Sequence, residues 1–347
     1  MKKSGALLFF CILIFSACDK KNNYRVVSSF AGSGTMGSAN GRGSSASFSN
    51  MMGIASDKKG NIYVADSRNN MIRKISPEGD VTTLAGNGAV GSADGRSDIA
   101  SFFFPRGVAV DGRGNVFVAD THNGLIRKIS PDGFVTTLAG SRIYTTIPAK
   151  DSVKRFDNPA GIAVDESGYV YIADGGNDLI RKISPDGRRV YIIAGNGTPG
   201  AKDGPGISAS FYLPAAIALD SAGYIYIADT YNNMIRKISP AGMVSTLAGK
   251  TTRGFSNGKG SEASFSHPSG IAVDSNANVY VADEGNNRIR KIAPDGTVTT
   301  IAGSGTRGSV NGRDTTASFY RPNGIAIDKA GNIFVADYLN NQIRRIH

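Results

Sequence analysis

Carboxylates and guanidinium groups recur along this chain at a spacing that must be explained before any of them is assigned a reaction. Asp66, Asp120, Asp174, Asp229, Asp283 and Asp337 stand one every 54 or 55 residues, each closing an Ala-Asp dipeptide. Each has an arginine seven residues on: Arg73, Arg127, Arg181, Arg236, Arg290 and Arg344. A partly buried carboxylate needs charged or N–H partners, and the repeat supplies the same arginine every time, with the backbone of the following turn as the other donor. Ion pairing within a scaffold is therefore the expected chemistry, and none of the six Asp is assigned a catalytic role. Chemistry belongs instead to residues that occur once. The chain has only three His, namely His122, His267 and His347, at non-equivalent positions of the repeat. A Ser/His/Asp arrangement can be drawn around His267 or His122, but no spacing singles one out.

The elements that must position these residues follow from one unit. Gly107–Asp111 (GVAVD) reads as a short apolar strand, Gly112-Arg113-Gly114 as a turn, and Asn115–Asp120 (NVFVAD) as a second strand. Thr121, His122, Asn123 and Gly124 lead to a third strand, Leu125–Ile129. Ser130-Pro131-Asp132-Gly133 is a turn signal, and Val135–Ala139 (VTTLA) is a fourth strand before Gly140. A unit of this size cannot bury both faces of its sheet alone and must stack on its neighbours. The last unit stops at Ile346 after its third strand, whereas VVSSFAG, within Tyr24–Gly32, fits the missing fourth. The prediction is an all-β, six-bladed β-propeller of four-stranded antiparallel blades, the last closed by the N-terminal strand, which leaves no open edge in the ring.

Four segments, GIAVD, GNIYVAD, NNMIRKIS and VTTLAG, give the chain its resemblance to the NHL-repeat family of six-bladed propellers, and the motif recurs six times in register over residues 24–347. The resemblance implies the fold. It leaves function open, because related propellers include passive binding platforms, RNA readers, an amidating lyase and lactonases.

Recurrence also separates packing from function. Phe48, Phe102, Phe156, Phe211, Phe265 and Phe319 occupy one repeat position and read as inter-blade packing. Gly53, Gly107, Gly161, Gly270 and Gly324 begin the inner strands, where backbones approach closely; unit four has Ala216. The first-turn glycine gives way to Ala277 in unit five, where Asn276 or Asn278 is expected to take the left-handed conformation. Constant inter-blade connections carry Asn40-Gly41, Asp94-Gly95, Asp203-Gly204, Asn257-Gly258 and Asn311-Gly312, expected to order those loops as turns. The third connection, from Ser141 to Arg155, abandons the pattern.

In propellers the inter-blade connections and the loops after second strands surround the mouth of the axial channel. Candidate ligand-binding residues are taken from there. Before the inner strands stand Asn50, Phe104, Asn158, His267 and Arg321, with Arg106 and Asn323 just after the proline. Loops after Ala-Asp add Arg68, His122, Tyr231, Glu284 and Tyr338, and the odd connection adds Arg142 and Tyr144. Arg106, His267 and Arg321 converging on one anion is the sharpest form of this expectation. Tyr144, Tyr231 and Tyr338 suit a glycan, although the absence of Trp removes the broadest stacking face.

The first eighteen residues differ in kind. Lys2 and Lys3 precede an uncharged run from Gly5 to Ala17, too short for the roughly 20 residues of a spanning helix. Phe15-Ser16-Ala17-Cys18 resembles a bacterial lipobox. We therefore expect residues 1–18 to be a lipoprotein-type signal peptide with Cys18 lipidated, 19–23 a polar tether, and the protein to be an outer-membrane or cell-surface lipoprotein, with a periplasmic or secreted protein as the alternative. Cys11 is the only other cysteine, so disulfides and Cys-metal sites are excluded from 24–347. The net charge of +11 falls to +9 without Lys2 and Lys3, and 12 of the 39 basic residues are repeat-position cations. An exported protein rarely meets nucleic acid, so that partner is excluded.

These readings converge on a monomeric, non-catalytic binding module for a protein, small molecule or glycan, anchored to a membrane through its N-terminal lipid. No cofactor is predicted. The alternative is a metal-dependent hydrolase or lyase with a divalent cation at the axis, held by amides such as Asn50, Asn158 and Asn323. The family resemblance weighs against zinc, since its lyases place histidines at matching blade positions and this chain does not. It also weighs against a lactonase site, whose glutamate is missing from the starts of the inner strands.

Overall fold

The computed structural model describes residues 25–141 and 155–347, so the expected signal peptide and tether, with Cys18, and the candidates Arg142 and Tyr144 lie outside the described residues. Six antiparallel sheets form the ring. In the fourth blade the order from the axis outward is Pro214–Leu219, Ile225–Asp229, Met234–Ile238 and Met243–Gly249. Second strands are buried on both faces, which is why Ile225–Asp229 reads as a nearly unbroken apolar run. Outer strands alternate, as in Asp80–Ala85, because one face meets water.

Six clusters of buried side chains lie between adjacent blades, and each takes one of the recurrent phenylalanines. Their exposure runs from 0% to 4%, which makes them packing residues. The ring closes as expected. Val26–Ala31 is the outer strand of the sixth blade and pairs with Gln342–Ile346 in the register Val27↔Ile346, Ser28↔Arg345 and Ser29↔Arg344. It also buries Val27 in the cluster shared with the fifth blade and Ala31 in the cluster shared with the first. One short segment thus completes two interfaces.

One expectation is refined and another corrected. Blades are not uniformly four-stranded: the presumed turns at Gly41, Gly95, Gly204, Gly258 and Gly312 are two-residue strands that pair with the outer strand of the following blade as a fifth. Among the described residues the third blade has four. In the fifth blade the left-handed residue is Ala277 itself, at φ +58°, not Asn276 or Asn278. Asp274 explains this by accepting the N–H groups of Asn276 and Asn278 at 2.9 Å each, which fixes the turn whatever residue sits between them. An L side chain in that region costs about 1–2 kcal/mol. Ala277→Gly is therefore expected to raise stability by about 1 kcal/mol after allowing for the greater freedom of glycine in the unfolded chain; urea denaturation measures it.

The recurrent Asp and Arg form a latch. Asp66 accepts the Ser49 N–H at 2.7 Å on Oδ1, and Asn69 and Arg73 at 2.8 Å each on Oδ2. Arg73 in turn donates to Ser47 O, Ala39 O and Asn40 Oδ1, and lies 5.3 Å from the centre of the Phe48 ring. The guanidinium fork thereby ties the middle of the connection, at Ala39 and Asn40, to its end at Ser47, which suits a constant spacing between them. Asp94, Asp203, Asn257 and Asn311 repeat the role of Asn40. The equivalent sequence position in the third connection is Pro148, which has no side-chain acceptor. Arg181 meets Asp174 through Nε at 2.7 Å and donates from Nη1 to Arg155 O.

Candidate functional site

The inner strands converge closely near their starts, where five blades carry glycine and the fourth has Ala216. A Cβ on Gly270 would lie 2.0 Å from Asn323 O, and one on Gly53 would lie 2.2 Å from Arg106 O. Just above this throat the chain turns sharply. Asn50, Phe104, Asn158, Leu213, His267 and Arg321 all have φ between +47° and +53°. Non-glycine residues rarely adopt that conformation, and five of the six also precede proline. What holds it is an amide on the preceding blade. Asn341, Asn70, Asn233 and Asn287 accept the N–H of Asn50, Phe104, His267 and Arg321 at 2.9–3.1 Å, and Asp178 accepts that of Leu213 at 2.7 Å. The corresponding position before Asn158 is Gly124, which has no side chain, and it falls where the connection departs from pattern.

Above the throat lies an axial cavity of about 510 Å³, within the usual range for small-molecule sites. Eight of the candidate residues line it: Arg106, Asn158, Tyr231 and His267, with Glu284, Arg321, Asn323 and Tyr338. Others lie elsewhere. Asn50 is 6% exposed and packs into the ring wall. Phe104 and His122 stack on each other on the rim, ring centres 4.8 Å apart and planes 13° from parallel, with Phe103 edge-on to His122. Arg68 is exposed and does not reach the cavity.

The position after each Ala-Asp explains much of the lining. In the second and fourth blades it is threonine, and Thr121 and Thr230 donate to Pro159 O and Pro268 O at 2.8 and 2.7 Å, lashing one blade to the next. The fifth and sixth blades carry Glu284 and Tyr338 there, and both line the cavity together with Thr230. Glu284 is largely buried and pairs with Arg321 Nε at 2.9 Å, while Asn323 Nδ2 donates to its other oxygen at 3.3 Å. Burial pushes the Glu284 carboxyl above its ordinary range, and the Arg321 charge pulls it back.

Arg106 differs from Arg321. Burial holds its guanidinium below its ordinary pKa, partly offset by Tyr338, Glu284 and Tyr231 nearby. Its Nε is buried without a hydrogen-bond partner, and among the described residues no carboxylate pairs with it. Burial also lowers His267, helped by the charges of Arg253 and Arg321, and lowers His122, helped by Arg106. The three residues of the expected anion site line one cavity and differ in their partners: Arg321 is engaged by Glu284, burial and neighbouring guanidinium groups disfavour a charge on His267, and Arg106 has no carboxylate within ion-pair distance among the described residues.

A divalent cation does not fit this donor set. Among the described residues no three His, Cys, Asp or Glu side chains come together to hold one. The cavity's carboxylate already serves Arg321 and Asn323, and two guanidinium groups would repel a dication.

Fold and cavity together define a six-bladed β-propeller with an axial ligand-sized pocket. The chain belongs to the NHL-repeat family: the family profile "NHL repeat" matches residues 102–129, 265–292 and 319–346. Among curated proteins it is 32% identical over 287 residues to the chloroplastic Protein SUPPRESSOR OF QUENCHING 1 of Arabidopsis thaliana, covering 75% of this chain and 26% of the relative. It is 29% identical over 321 residues to NHL repeat-containing protein 2 of Bos taurus, covering 82% of this chain and 44% of the relative. The chain thus spans less than half the length of these relatives. Among solved structures, an auxiliary nutrient binding protein from Bacteroides thetaiotaomicron VPI-5482 superposes with a TM-score of 0.71 at 17% identity, over 93% of this chain and 76% of the other. A streptogramin B lyase superposes at 0.56 and 16% identity, over 93% and 98%. Likeness at that identity is one of fold.

Proposed function

We propose that this protein is an exported, lipid-anchored propeller that binds a small ligand in its axial cavity without transforming it. The reading is carried by one observation: sequence symmetry builds the frame, and the residues that break it, Arg106, Glu284, Asn323 and Tyr338 among them, gather around one cavity. The nutrient-binding propeller of the same fold gives such a role precedent, and the lyase shows that the fold alone does not decide it. Export and anchoring rest on the Lys2–Cys18 sequence, with the lipid on Cys18 placing the protein at an outer membrane or cell surface.

Two measurements test this. Metabolic labelling with a radioactive fatty acid is expected to mark the wild type and not Cys18→Ala, whose propeller moves to the soluble fraction; labelling that persists refutes the anchor. For the cavity, Ala215→Trp, which fills the lining from the fourth blade, is expected to abolish ligand binding that resists chelators. Turnover that is lost on chelation and in Asn158→Ala or Asn323→Ala would instead establish a metal-dependent enzyme.

A further inference from the structure

We propose that the ligand of the axial cavity is a small organic monocarboxylate, with Arg106 as its counter-ion. The inference rests on the reading of the cavity as a ligand site and specifies the chemistry of that site.

Three observations carry it. First, the Arg106 guanidinium lines the cavity, with its Nε buried and unbonded and no carboxylate pairing with it among the described residues. A buried charge without a partner is costly, and a carboxylate arriving with the ligand removes that cost with two parallel N–H···O bonds. The recurrent arginines, whose Nε is likewise unbonded, show the contrast: Arg73, Arg127, Arg236, Arg290 and Arg344 are fully buried, and each is answered by an aspartate of its own blade. Second, the charges of the pocket leave one to be balanced. Glu284 cancels Arg321 at 2.9 Å, so Arg106 alone calls for an anion, and a single negative charge satisfies it. A phosphate dianion would bring a second charge towards the carboxylate of Glu284, which lies within electrostatic range of Arg106. Third, the rest of the wall is largely uncharged and mixes aliphatic side chains, such as Ile54, Val108 and Ile217, with polar ones. Tyr231, Tyr338 and Asn158 offer hydroxyl and amide groups to the body of a ligand, in a space of about 510 Å³ that suits a molecule of sugar-acid or aromatic-acid size.

The experiment uses the full chain purified in detergent and titrated calorimetrically with gluconate, glucuronate and benzoate. Glucose and benzyl alcohol serve as uncharged counterparts. At least one acid is expected to bind at least about ten-fold more tightly than its counterpart, the scale of a charge-assisted pair. Arg106→Gln erases that preference, Arg106→Lys retains part of it, and Glu284→Gln tightens acid binding by lifting the competing charge. Acids and counterparts binding alike, no acid binding, or a preference that survives Arg106→Gln would overturn the proposal. Should Arg106→Gln fail to fold, Glu284→Gln decides: weaker acid binding refutes it. Ala215→Trp separates this failure from that of the cavity reading. Neutral compounds that bind and are blocked by Ala215→Trp leave the cavity as a ligand site and remove only the carboxylate; binding of every probe that ignores Ala215→Trp removes the cavity itself.

Discussion

Arg236→Met is expected to lower the stability of the protein by about 3–5 kcal/mol at pH 7, the cost of stranding a buried charge. In the fourth blade Arg236 and Asp229 are both fully buried at 2.7 Å, and the same guanidinium donates to Ser210 O, Lys202 O and Asp203 Oδ1. Methionine fills most of the volume, so the loss is not chiefly a cavity. It is the loss of a partner for the carboxylate, which keeps only Asn232 and the Tyr212 N–H, and of the fork that holds the connection. An exposed pair supplies the contrast: Arg96 and Asp98 lie 3.3 Å apart with side chains 73% and 64% exposed, so Arg96→Met should change stability by no more than about 1 kcal/mol. Equal effects from the two substitutions, measured by urea denaturation, would remove the latch as a source of stability. The pH dependence has a definite sign. Burial raises Asp229 from 3.8 to about 6, so the folded state takes up a proton as pH falls through that range, and a protonated Asp229 no longer needs its arginine. Without the arginine the Asp229 carboxyl is raised further still, so in Arg236→Met it takes up its proton above pH 6; the deficit is greatest in alkali, narrows as pH falls towards 6 and levels off below it.

Deleting residues 25–32 is expected to abolish cooperative unfolding altogether, with aggregation in place of a folded monomer. The segment is short, but Val27 and Ala31, at 0% and 1% exposure, complete two different inter-blade clusters. Its removal also strips the sixth blade to three strands and leaves Gln342–Ile346 as an unpaired edge that invites association with other chains. Circular dichroism melts and size-exclusion chromatography report the outcome. A sharp transition in the deleted protein would mean that the ring does not depend on this closure.

The frame was legible in the sequence because its determinants recur locally. Ala-Asp marks every second strand, and VVSSFAG matches a strand that the last unit lacks. What escaped notice depends on contacts between blades. The six residues that turn above the throat share no common side-chain type, running from Asn50 and Asn158 to Phe104, Leu213, His267 and Arg321. At Phe104, His267 and Arg321 the turn is held by an Asn 34 residues earlier, as in Asn287 to Arg321, and repetition of that Asn alone does not say what it binds. Candidate site residues were found to the extent that they broke symmetry, which selected Arg106, Glu284 and Tyr338. The pairing of Glu284 with Arg321 could not be read, because a loop of one blade meets the start of the next only once the ring is built. The backbone partner of Asn50 is equally hidden in the sequence, because Asn341, which accepts its N–H, lies at the far end of the chain.

The first and last strands lie side by side, with the Val26 N–H donating to His347 O at 2.8 Å. For a circle of near-equivalent sheets, the point at which the polypeptide is cut is then topologically arbitrary. A gene rearranged so that a short linker joins His347 to Arg25, with new termini in the exposed hairpin at Pro131-Asp132, would encode the same object, velcroed in the second blade rather than the sixth.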